Sequence, residues 1–107
     1  MTTVQVWRDE KGVTGLKVKD HAGYAEEGSD IVCAAASVLI TTCANALETV
    51  VGIKPLEAVS ERNTSIMVAR PKGLTPEKDH DARIVLHTVL QGFTDIAAEY
   101  PRYLQII

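Results

Sequence analysis

A histidine and a cysteine stand twelve positions apart in DHAGYAEEGSDIVCAAAS, residues 20–37. A thiol beside an imidazole makes a nucleophile with its own base: the imidazole takes the proton and the thiolate attacks an electrophilic carbon. Cys33 follows Ser29 and Asp30, two helix-capping residue types, and enters the run IVCAAASVLITTCANALETVV. That spacing predicts a cysteine in the first turn of a helix. The partial positive charge there favours thiolate over thiol, and the unpaired amides can hold an oxyanion. The same residue also reads as small apolar filler among alanines. His21 closes a strand and opens a loop, so it is either a base folded back onto Cys33 or a solvated strand-end imidazole.

The remaining candidates rank below this pair. Cys43 lies in the middle of the same helix and reads as an inert buried thiol. Ten residues of helix separate the two sulfurs by about 15 Å, beyond the roughly 7 Å Cα separation that a disulfide tolerates. Ser37 falls one turn after Cys33, on the same face, or else returns a bond to the preceding turn. Asp30 reads as the helix cap, with orientation of His21 as a second role. Gly23 and Gly28 give the intervening loop freedom to change shape around a ligand. Glu26 and Glu27 read as a solvated loop face. His80 and His87 read as solvent-facing residues of a later helix. No CxxC or HExxH spacing occurs, so neither a metal nor a cofactor is expected.

The elements that must position these residues follow from pattern. TVQVWR alternates apolar and polar residues as a strand does, DEKG turns, and VTGLKVKD forms its hairpin partner. The helix from Asp30 to about Val51 ends at Gly52, with Pro55 blocking continuation. It is apolar nearly all round, which predicts packing on more than one side, the second side being another copy of the chain. LEAVSER and SIMVAR read as two more strands. Thr75 and Pro76 open a second helix whose apolar face runs from Ala82 through Leu86, Val89 and Phe93 to Tyr100. RYLQII closes as a strand. The order ββαββαβ predicts a two-layer α+β domain, a largely antiparallel sheet carrying two helices, with residues 1–107 forming one domain. Trp7 is assigned to packing.

A chain of 107 residues, 46% hydrophobic, holds one modest core. Its formal charge of −3 argues against a general nucleic-acid binder. No apolar run is read as reaching the length of a membrane span without polar interruption, and the first residues lack a signal peptide. The expected location is the cytoplasm, where both thiols stay reduced.

HAGYA followed by GSDIVCAAAS closely resembles the signature of the ribosomal-processing cysteine protease Prp family (YsxB-like proteins): Gly-His-Ala, a short loop, then Asp-Ile-Val-Cys-Ala-Ala-Val-Ser at the start of a long helix. The resemblance implies Cys33 as nucleophile and His21 as its partner, with Asp30 and Ser37 at supporting positions. It further implies a cysteine endopeptidase that removes the N-terminal extension of a large-subunit ribosomal protein precursor, working as a homodimer in contact through helices. Two positions depart from the pattern: Asp20 stands where Gly is usual and Ala36 where Val is common. The competing expectation is a non-catalytic, ribosome-associated binding module whose Cys33 is only structural.

Overall fold

The computed structural model describes residues 1–20, 25, 30–60, 62 and 64–107. The elements run β1 (Thr2–Asp9), β2 (Gly12–Lys19), α1 (Ile31–Ala46), a π-helical turn (Leu47–Val51), β3 (Leu56–Val59), β4 (Ser65–Ala69), α2 (Pro76–Glu99) and β5 (Leu104–Ile106). The five strands form one sheet in the order β3-β4-β2-β1-β5. Three of the four pairings are antiparallel; β5 joins β1 in parallel, after the crossover through α2. The expected α+β order and two-layer arrangement hold.

Alternation decides which face is covered. Val4, Val13, Leu16, Val68 and Leu104 are fully buried on one side of the sheet. Against them pack Val32, Ala36, Ile40, Cys43 and Leu47 from α1 and its extension, and Ala82, Leu86, Val89 and Phe93 from α2. Fully burying each large side chain contributes about 1.5–3 kcal/mol. Trp7 departs from its assignment to packing: register places it on the helix-free side, opposite Gly15, and it stays 38% exposed.

Both helices begin where their caps dictate. Asp30, at φ −79° and ψ 102°, accepts a hydrogen bond from the Cys33 amide, and Thr75 accepts one from the Lys78 amide with Pro76 following. The first helix ends less simply than expected. Its last five residues widen to π-helical geometry, and the amides of Gly52 and Ile53 both donate to the Leu47 carbonyl. Gly52 adopts φ 80°, the left-handed conformation that glycine accepts without a Cβ penalty. Lys78 Nζ donates to the Val51 carbonyl, laying a positive charge at the negative end of the helix. Ile31–Val51 is long and apolar enough to cross a membrane by length and composition, although Ser37, Thr41, Thr42, Asn45 and Glu48 interrupt it, as the sequence reading expects. Its Val32–Val51 face is nevertheless spent on the core.

The charged network at one end of the fold has no counterpart among the sequence expectations. Arg83, on α2 and only 7% exposed, grips Asp9 at the end of β1 with two bonds of 2.7 and 2.8 Å. Its Nε donates to Asp79 one turn earlier at 2.8 Å. Arg70 reaches Asp9 at 3.2 Å, and its Nε lies 3.1 Å from Asp79, near enough for an ion pair though off the line of a hydrogen bond. A buried guanidinium requires such partners. In return Arg83 holds both carboxyls below the usual carboxylate range, Asp9 most strongly, while they hold its guanidinium charged. His87, exposed as expected, also accepts the Val13 amide at 3.1 Å and so ties α2 to the same hairpin.

At the other end of β2, Asp20 adopts φ 68°, the one described non-glycine residue in the left-handed region. Aspartate tolerates this conformation better than most residues, yet it remains costly without a compensating contact. Here the Asp20 amide donates to the Thr64 carbonyl at 2.8 Å, and the Thr2 hydroxyl donates to the Asp20 carbonyl at 3.1 Å.

Two outcomes follow from these features. Because Asp9 and Asp79 ionise more readily in the folded chain, their contribution is fully present above about pH 4 and drains away as pH falls further. Arg83→Met is expected to lower Tm by at least about 5 °C at neutral pH, with the gap to wild type narrowing below about pH 4. Thermal melts from pH 3 to 7 check this, and a gap independent of pH contradicts it. At Asp20, substitution by Gly is expected to keep or raise stability, whereas Val costs about 1–2 kcal/mol. Denaturant midpoints for the two variants that coincide would remove the strain argument.

Candidate active site

Cys33 is the third residue of α1, and its position follows from the cap. Its amide donates to Asp30 Oδ1 at 2.9 Å, and the Ala34 amide donates to the Asp30 carbonyl at 3.0 Å. Asp30 is itself only 9% exposed. Two consequences reach the chemistry. The Cys33 amide is already engaged by a carboxylate, so the first-turn amides left without an intrahelical acceptor are those of Ile31 and Val32. The Asp30 charge also offsets part of the positive end of the helix.

The Cys33 side chain is half-buried and faces a small cleft of about 110 Å³. Val18 of β2, Ile66 of β4 and Ile40 of α1 line its apolar side, and Thr2, Asp20, Ser37, Thr64 and Ser65 its polar side. Ser37 does share the cleft with Cys33, as the one-turn spacing predicts, and is exposed. The cleft thus opens where the helix N-terminus meets the end of β2 and the start of β4. A peptide reaching Cys33 meets hydroxyls and main-chain polar groups beside a short apolar wall.

The second thiol is different in kind. Cys43 is fully buried, and loss of hydration pushes its thiol up to about 12, so it stays protonated and inert at neutral pH. Neither cysteine is in a disulfide. Among the described residues, no group of three His, Cys, Asp or Glu side chains gathers to hold a metal ion.

His21, Gly23 and Gly28, like Glu26 and Glu27, lie outside the described residues. The residues on either side of them are placed: Asp20 and Asp30 both stand at the Cys33 end of the fold, the first lining the cleft and the second capping α1. What sequence reasoning missed is the pair of threonines on Asp20. The available signal was the glycine that the resemblance expects at position 20, since a recurrent glycine marks a backbone position with positive φ.

Comparison with known proteins identifies the family and the fold. Residues 1–105 match the family model described as "Cysteine protease Prp". The chain is 26% identical, over 91% of its length and 87% of the relative's, to the ribosomal processing cysteine protease Prp of Bacillus subtilis. A crystal structure of the essential ribosomal processing protease Prp from S. aureus, in complex with a covalently linked product peptide, superposes with a TM-score of 0.82 at 25% identity, covering 99% of this chain and 97% of that one. SMU.848 from Streptococcus mutans superposes equally well, with a TM-score of 0.82 at 26% identity over 99% of this chain and 91% of that one. With the match running through nearly every residue and the fold shared, the chain belongs to the cysteine protease Prp family and is a cysteine protease.

Proposed function

We propose that this chain, acting as one domain in the cytoplasm, removes the N-terminal extension of a large-subunit ribosomal protein precursor, with Cys33 as nucleophile and His21 as its base. The observation that carries the residue assignment is the contrast between the two thiols: Cys33 faces a cleft at a helix N-terminus while Cys43 is sealed in the core. The substrate class rests on the Bacillus relative, named for ribosomal processing, and on the S. aureus structure with its covalently linked peptide.

The chemistry runs as a dyad. His21 takes the Cys33 proton, and the thiolate attacks the scissile carbonyl carbon. The resulting oxyanion is held by first-turn amides, those of Ile31 and Val32, because the Cys33 amide serves the cap. Collapse breaks the C–N bond and the amine leaves with the proton from the His21 imidazolium. Water, deprotonated by His21, then hydrolyses the thioester and restores the thiol. Asp30 supports the reaction by fixing the start of the helix, and Ser37 faces the bound peptide from the same side as Cys33. Gly23 and Gly28 allow the intervening loop to adapt to the peptide. The non-catalytic alternative loses its ground with family membership.

We further assign a homodimer through α1. Ile31 and Val38 of α1 are 53% and 64% exposed and, seven residues apart, share one face of the helix. Beside them Ala34, Ala35 and Leu39 of α1 and Gly92 and Ile96 of α2 form a shallow apolar hollow.

Cys33→Ala is expected to lower precursor cleavage by at least about a thousandfold and His21→Ala by about a hundredfold or more. Cleavage that persists in Cys33→Ala sinks the assignment. Native-state alkylation is expected to modify one thiol per chain, lost in Cys33→Ala. For the dimer, light scattering at micromolar concentration is expected to give twice the chain mass for wild type and the single-chain mass for Val38→Glu. A monomeric wild type contradicts the α1 interface.

A further inference from the structure

Among the described residues, three polar or charged side chains are buried: Arg83, Asp30 and Thr2. Arg83 is explained by its carboxylates and Asp30 by the helix it caps. Thr2 is not explained by the fold. It is 1% exposed on the core-facing side of β1, next to apolar Val4 in the same alternation, where valine would pack as well and fit a strand as well. Its main chain is already fixed, since its amide donates to the Tyr103 carbonyl at 2.9 Å and it pairs with Leu104. Only its hydroxyl is left to account for, and that hydroxyl donates to the Asp20 carbonyl at 3.1 Å.

That carbonyl belongs to the peptide bond leading into residue 21. Asp20 is also where the chain leaves the sheet, in a left-handed conformation that a non-glycine residue readily abandons for an extended one. Its amide is held by Thr64 and its carbonyl by Thr2, so the residue is gripped on both sides, and all three residues line the cleft beside Cys33. A relatives' glycine would take this conformation unaided; an aspartate needs holding.

We propose that Thr2 is a positioning residue of the protease. Its hydroxyl, with the Thr64 carbonyl opposite, locks Asp20 in the left-handed turn and so fixes the residue that directly precedes His21 in the chain. The inference rests on the reading of His21 as the base of Cys33. It adds a residue at a strand position the signature HAGYA–GSDIVCAAAS does not include.

The test compares Thr2→Val, Thr2→Ser and His21→Ala with wild type in the full chain. Readouts are turnover of a fluorogenic peptide spanning the processed junction of the host precursor, Cys33 alkylation by iodoacetamide at pH 7, and thermal melts. Thr2→Val is expected to lower kcat by about ten- to a hundredfold with KM within about twofold. Alkylation should slow toward the His21→Ala rate, and Thr2→Ser should restore both. Wild-type kcat and alkylation in Thr2→Val overturn the inference. So does a loss that Thr2→Ser leaves unrepaired, or one that appears in kcat and Tm while alkylation stays at the wild-type rate. His21→Ala with wild-type cleavage and alkylation overturns the Cys33–His21 reading itself, whatever Thr2→Val does.

Discussion

The 2.9 Å hydrogen bond from the Cys33 amide to the Asp30 carboxylate decides where the first helix begins. Moving that start by one residue would rotate every following side chain by about 100°. Val32, Ala36, Ile40, Cys43 and Leu47 would leave the sheet, and Cys33 would leave its cleft. Core and site therefore share one constraint. The same bond engages the Cys33 amide with a carboxylate and brings a negative charge to the helix end. In this chain the helix terminus works as a geometric device that sets where Cys33 stands.

A second anchor lies at the opposite end of the sheet. Arg83 joins α2 to the β1 end of the hairpin through Asp9, and His87 adds a bond to the Val13 amide one turn later. The cleft and the ionic network thus occupy the two ends of the β1–β2 pair. Polar cohesion at one end leaves the other free to be open, with Thr2 and Thr64 holding the chain only at its exit from β2. Removing the buried Arg83 guanidinium would leave Asp9 and Asp79 to Arg70 alone among the described ion-pair partners, whereas the threonine contacts are small and local.

Much of this was legible in the sequence where a residue type has one physical use. Asp30, Thr75, Pro76 and Gly52 announced helix ends through their caps and backbone preferences, and alternation in TVQVWR and VTGLKVKD announced the hairpin. Other features depended on partners far along the chain. Nothing near Arg83 marks it as buried, since Asp9 lies 74 residues away. The π-helical turn at Leu47–Val51 has no signature in a run of apolar residues that reads as uninterrupted α-helix. The partial exposure of Trp7 was not legible, because alternation gives two faces but not which one the helices cover. Cys33 and Ser37 were legible as neighbours one turn apart; their joint cleft with Thr2 and Thr64 was not, because three separate strands and a helix build it.

The two outer strands carry a consequence for how the molecule can grow. β3 runs for four residues directly after Pro55, and β5 for three. Either border offers a neighbouring chain only a handful of main-chain donors and acceptors, and proline removes one of them at the entrance to β3. Such short edges blunt ladder-by-ladder extension by a neighbouring chain. Short borders of this kind shift the weight of any assembly from backbone pairing to side-chain surfaces.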